Sequence, residues 1–214
     1  MHDFTSGNKK PELKNIKLGN QEFEVVDSYK YLGNVIQFNL RNVLDIEQKL
    51  QSFYSSYYSI LRNFNHVNIQ TFLFIFKSYC LPSYGLALWN GDNVFSHQIF
   101  KTFEIAYSGA LKRICNVPKF TSSHHVAEMC DMLLFKHLVI QNQLRFFNKL
   151  KEVNNSIFLS NYTFMKNGLF FSHLFKTFET VYSVNILDND IQALHSRIFY
   201  IQRNEERSNY FYYV

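Results

Sequence analysis

Glycine and proline are scarce in this sequence, with seven and three in 214 residues. That scarcity excludes a collagen-like repeat and a Gly- or Pro-rich linker. Charge is sparse too, at 18% of residues against 47% hydrophobic. So few charges do not hold a chain unfolded, and the apolar share permits a packed core in one sizeable domain, with room for a loosely attached tail. No apolar run is long enough for a membrane span. The longest, Phe72 to Trp89, is broken by Lys77 and Pro82, whereas a span needs roughly 20 predominantly apolar residues. The opening segment, Met1 to Lys10, is polar, so no secretory signal is expected there and no membrane partner is implied. Cysteine is limited to Cys80, Cys115 and Cys130. An odd number, not clustered along the chain, fits a reducing intracellular setting, cytoplasm or nucleus, better than a disulfide framework.

Aromatic residues are abundant by contrast, with 23 Phe and 14 Tyr. Base stacking is one use for them. The plainer use is core volume, because that much exposed apolar surface would aggregate. Positive charge is the other excess. Residues 1–40 hold five Lys/Arg and five Asp/Glu, residues 41–151 hold twelve and six, and residues 152–214 hold five and six. The whole surplus therefore sits in the middle segment, where a phosphate backbone is the natural partner. A generically basic surface is the competing reading.

Four segments follow from the pattern. Residues 1–12 read as a disordered start. Residues 13–40 read as a small antiparallel β hairpin or sheet. Leu13, Ile16 and Leu18 precede the turn dipeptide Gly19-Asn20, then come Phe23, Val25 and Val26, a turn near Asp27-Ser28, and the run from Tyr29 to Ile36. Residues 41–154 read as an antiparallel helical bundle. Its first helix places Val43, Ile46, Leu50, Phe53, Tyr57, Ile60, Leu61 and Phe64 on one face. A second runs from Val67 or Asn68 to Cys80, burying Phe72, Ile75, Phe76 and Tyr79. A third starts near an Asp92-Asn93 cap and runs through Phe103 to Ile114. A short one follows Ser122 or Ser123, and a long one covers about Met132 to Glu152. Residues 155–214 read as a helical extension, with helices at Leu169–Tyr182 and Asn189–Arg203. The fold class is thus mainly α, with a small β element in front.

Three joints in this order carry a resemblance. The first is Tyr29-Lys30-Tyr31-Leu32-Gly33 with Val35-Ile36, led in by Ile16-Lys17-Leu18-Gly19 and Val25-Val26. The second is Phe76 to Gly85, containing Leu81-Pro82 and Tyr84-Gly85, followed by Leu88-Trp89. The third is Phe103 to Pro118, containing Leu111-Lys112-Arg113-Ile114. This sequence resembles the reverse transcriptase of non-LTR (LINE-type) retrotransposons over roughly residues 13–150. The resemblance implies that residues 13–40 are the end of the palm with its primer-grip hairpin, and that residues 41–154 are thumb-like. It implies an RNA or RNA–DNA primer–template duplex as partner, bound weakly and in a salt-dependent way, and the palm and fingers of the polymerase as a further partner. In the family, an aromatic-x-Asp-Asp hairpin and a further palm Asp hold two catalytic metal ions upstream of the Tyr-Leu-Gly joint. This sequence contains no Asp-Asp pair, and its nearest match, Asp188-Asn189-Asp190, follows the thumb-like region. That stretch reads as a loop with a helix cap. Catalysis by this chain alone is therefore not expected, nor a cofactor or metal.

The remaining candidates divide by chemistry. Cys115, His124, His125 and Cys130 have the spacing Cys-x₈-His-His-x₄-Cys, which fits no common zinc pattern, so they read as packing residues. Cys80 reads as a buried, inert thiol, and Trp89 as a core anchor. Nucleic-acid contacts are expected from Lys30 and Tyr31 in the hairpin, and from Arg41, Lys49 and Arg62 on the first helix, away from most of its apolar stripe. A solvated helix face is the alternative for those three. The function expected is a noncatalytic part of an RNA-directed DNA polymerase that positions primer–template. The alternatives are a stand-alone nonenzymatic RNA or RNA–DNA binding module, or a helical protein-interaction domain. An apolar hairpin face including Val25, Leu32 and Val35 should leave exposed surface and a tendency to self-associate.

Overall fold

Two-residue turns of Gly and its neighbours shape the N-terminal part. The computed structural model describes residues 16–19, 21–23, 26–39, 41–81, 85–89 and 94–152, with positions 200, 202 and 204. Strands β1 (Ile16–Leu18) and β2 (Gln21–Phe23) pair antiparallel, Ile16 opposite Phe23, and Gly19 turns between them at φ +62°. The run from Tyr29 to Ile36 is not one strand. It folds into β3 (Ser28–Tyr31) and β4 (Asn34–Gln37), with Tyr29 opposite Ile36 and Lys30 opposite Val35. Leu32 and Gly33 turn the chain at φ +45° and +80°. Positive φ at both central residues gives a turn whose twist matches that of the strands. Leucine is an unusual occupant of such a position. The expected β element is thus two separate two-stranded hairpins.

Five helices follow: α1 (Val43–Asn63), α2 (Ile69–Tyr79), α3 (Gln98–Ile114), α4 (Ser123–Met129) and α5 (Phe135–Glu152). In α1 the residues Ile46, Leu50, Phe53, Tyr57 and Ile60 recur at steps of four and three, and all are buried. Phe64, at the end of that stripe, is exposed. Asn68 caps α2, its side chain accepting from the Thr71 N–H at 2.8 Å, and Phe72, Phe76 and Cys80 face inward. Tyr79 does not. It is 73% exposed: it lies about 60° round the helix from Phe76 and about 100° from Cys80, at the outer edge of the stripe these residues form with Phe72. The third helix begins at Gln98, later than the Asp92-Asn93 signal, and His97 is its cap. Position 42 caps α1, and Ser122 precedes α4. Asp92, Asn93, Pro82, Tyr84 and Val25 lie outside the described residues, as do residues 1–12, the helix expected at 169–182 and, apart from positions 200 and 202, the one expected at 189–203.

The core is aromatic. Phe53, Phe76, Trp89, Phe100, Phe103, Tyr107 and Phe135 are all essentially inaccessible, and the rings of Phe103 and Phe135 stack at 4.2 Å. Part of the aromatic excess therefore fills volume, while Tyr29, Phe74, Tyr79 and Phe120 are exposed. Tyr107 satisfies its hydroxyl within this core by donating to the Leu133 carbonyl at 2.8 Å. A single 3₁₀ turn at Leu86–Leu88 delivers Trp89 into it. At the start of α5, the side-chain oxygen of Gln202 accepts from the Leu134 N–H at 3.0 Å, so one position of the C-terminal region packs back on the bundle. No helix among the described residues is long and apolar enough to cross a membrane.

Candidate nucleic-acid interface

The hairpin β3–β4 is held to α1 by polar contacts. Asp45 stands in the first turn of α1 and is 3% exposed. One carboxylate oxygen accepts from the Val35 N–H at 2.8 Å, and the other from the Trp89 indole N–H at 2.6 Å. A buried carboxylate needs such donors, since desolvation without them would be costly. One turn on, Lys49 donates to the Gly33 carbonyl at 3.0 Å. Gln37 accepts from the Leu44 N–H at 3.2 Å, and Gln143 of α5 donates to the Trp89 carbonyl. Gly85 is needed at this junction. It holds φ +87°, and a Cβ there would collide with the Asn34 side chain.

The five residues expected to contact nucleic acid separate in space. Lys30 and Tyr31 are exposed on β3, with Tyr31 at 57%. Arg41 is exposed just before α1 rather than on it, and Arg62 is exposed in its last turn. At 1.5 Å per residue, α1 carries Arg62 about 30 Å from Arg41. Lys49 departs from the expectation: it is 8% exposed and lies on the buried flank. At 100° per residue it sits only about 60° from the centre of the apolar stripe, whereas Arg62 is about 160° away. The hairpin, which packs on α1 through β4, covers the Lys49 flank and leaves the Arg62 flank open.

That open flank carries two residues the sequence reading missed. Tyr54 and Tyr58 are partly exposed, and their rings stack at 6.2 Å with 16° between planes. Tyr54, Tyr58 and Arg62 follow each other at i, i+4 and i+8, so they form one ridge. That spacing was visible, but a tyrosine beside an apolar stripe reads as core until the packing partners are known. On the hairpin, Tyr29, Leu32 and Ile36 are also exposed, and Val35 is half-buried.

A second basic region lies elsewhere. A cleft of about 790 Å³ opens between α3, the loop after it and the start of α5, and Lys112, Arg113, Lys119 and Lys136 line it with Glu104. Lys112 donates to the Lys119 carbonyl at 3.0 Å, bracing the loop. Burial raises the pKa of Glu104, an effect that Lys136 and Lys101 partly offset. Four cations against one carboxylate give the cleft a positive field suited to phosphate. Among the described residues, no three His, Cys, Asp or Glu side chains gather as a metal site.

No family model matches this sequence, and neither curated proteins nor solved structures give a match.

Proposed function

We propose that this chain is a thumb-like part of a retrotransposon-type RNA-directed DNA polymerase, and that it holds a primer–template duplex without performing bond chemistry. The observation that carries the reading is the meeting of the three resembling joints. Val35 of the first and Trp89 of the second share the two oxygens of Asp45. Phe103 of the third packs against the Trp89 ring at 6.1 Å. Segments matched separately along the sequence thus form one junction between hairpin and bundle. Phosphate contacts fall to Lys30, Arg41 and Arg62, with Tyr31, Tyr54 and Tyr58 offering ring faces to sugars or bases. The exposed hairpin residues Tyr29, Leu32 and Ile36 face the palm of the polymerase in this reading.

The test is a titration of the chain with a labelled RNA–DNA hybrid at several salt concentrations, with RNA and DNA duplexes as controls. Neutralising about four phosphates makes log K fall with log salt at a slope of about −3 to −4. Preference for the hybrid supports the thumb reading. Equal binding to any RNA favours a stand-alone RNA-binding module. No binding at low salt removes nucleic acid as the partner and leaves a helical protein-interaction domain.

A further inference from the structure

Two of the three cysteines, distant in sequence, come together. Cys115 ends α3 and Cys130 ends α4, and their sulfurs are 2.9 Å apart. The same hydrogen-bond pattern fixes both positions. After α3, the Asn116 N–H donates to the Arg113 carbonyl at 3.2 Å and the Val117 N–H to the Lys112 carbonyl at 3.0 Å. After α4, the Asp131 N–H donates to the Glu128 carbonyl at 3.1 Å and the Met132 N–H to the Ala127 carbonyl at 2.8 Å. Asn116 and Asp131 take the left-handed conformation at φ +53° and +50°. Each helix therefore stops in a Schellman cap with its cysteine at the same place in the motif. Two rigid turns aim the sulfurs at each other, so these two free thiols are neighbours in space although they are not clustered along the chain.

We propose that Cys115 and Cys130 are a modification site: they form a reversible disulfide by exchange with a small-molecule disulfide such as oxidised glutathione. The sulfurs need to close by less than about 1 Å to reach the bonded distance. Cys115 is the half-buried member and Cys130 the buried one, so Cys115 meets the oxidant first. Its thiolate attacks one oxidant sulfur, the oxidant S–S bond breaks, and one small thiol leaves with a proton from solvent. Cys130 then gives up its proton and attacks the Cys115 sulfur, releasing the second small thiol. Two protein thiols are oxidised and one small disulfide is reduced to two thiols.

The surroundings support that order. Burial first, and then the hydrogen bond and charge of Cys115, push the Cys130 thiol up to about 12, and Lys77 pulls the other way. Lys77 donates to the Asp131 carbonyl at 3.2 Å, which places its charge beside the pair. Capping Cys115 as a mixed disulfide removes that residue's hold on the Cys130 proton. The bond would enclose residues 115–130, including Lys119, which lines the basic cleft. The inference does not depend on nucleic-acid binding.

The test uses the whole folded chain, treated with oxidised glutathione and then denatured and labelled with a maleimide. The expected result is a fall from three labels in the reduced chain to one, on Cys80, with a peptide map joining Cys115 to Cys130. Cys80 is the internal control, because it is a free, buried cysteine whose thiol burial pushes up to about 12. Cys80→Ser should go from two labels to none. Three labels after oxidation, or glutathione remaining on Cys115 of the unaltered chain, would overturn the proposal.

Discussion

The two flanks of α1 carry similar side chains in opposite roles. On the inner flank, Asp45 and Lys49 stand one turn apart and are buried under the hairpin, where they hold backbone groups and the Trp89 indole. On the outer flank, Tyr58 and Arg62 also stand one turn apart and face solvent. Both pairs obey the same helical spacing. The difference is whether another element covers them. A cation in a basic segment is therefore not an interface residue until its flank is known to be open.

Substitutions can break that contrast, and the largest effect should come from its inner anchor. Trp89→Ala removes a fully buried ring and the indole donor to Asp45, and is expected to lower stability by about 3–5 kcal/mol in urea unfolding. A loss below about 1 kcal/mol would mean that the junction does not organise the fold. Next come two matched lysine and arginine changes. Lys49→Gln removes the ammonium that donates to the Gly33 carbonyl from a buried position on α1 and should cost about 1–3 kcal/mol of stability. Arg62→Gln should leave stability within about 0.5 kcal/mol while reducing the salt slope of hybrid binding by about one. The contrast collapses if Lys49→Gln changes the slope as Arg62→Gln does.

Tyr58→Ala sharpens the outer side. Loss of one stacking face should weaken hybrid binding by about 1–3 kcal/mol, with thermal unfolding almost unchanged. An unaltered affinity would assign the tyrosine ridge to surface packing alone. The smallest effect concerns the cleft. Burial raises the pKa of Glu104, so the folded chain binds that proton more tightly than the unfolded chain does. Stability from this group is present at low pH and is lost as pH rises from the ordinary glutamate range through the raised folded value. Glu104→Gln should therefore gain in melting temperature over the parent at pH 7 relative to pH 4. A gain that does not change with pH would count against burial of the carboxylate.

Much of the bundle could be read before any packing was known. The four-three steps from Ile46 to Ile60 specify one buried stripe, and the helix they form ends at Asn63, one residue before Phe64, the last position expected on that face. The start of α2 near Asn68 and the end of α3 at Ile114 depend on local signals, so they were legible. The start of α3 was not, because His97 is a less usual cap than Asp92 or Asn93 and residues 94–97 form a turn first. The hairpin turn at Leu32-Gly33 was hidden because leucine seldom adopts positive φ, and Tyr29 to Ile36 otherwise reads as one β-rich run. Within the candidate interface, Lys30, Tyr31, Arg41 and Arg62 are exposed as the sequence implied, while Lys49 is not.

Periodicity, caps and turn residues act over a few positions, so the sequence by itself determined a mainly helical chain behind short strands. Contacts between residues far apart belong to tertiary structure. Packing decided that Asp45 would join Val35 to Trp89, that the hairpin would cover Lys49 and spare Arg62, and that two helix ends would bring Cys115 to Cys130. The physical reason is that burial and proximity depend on which surfaces meet, and no local pattern encodes the partner surface.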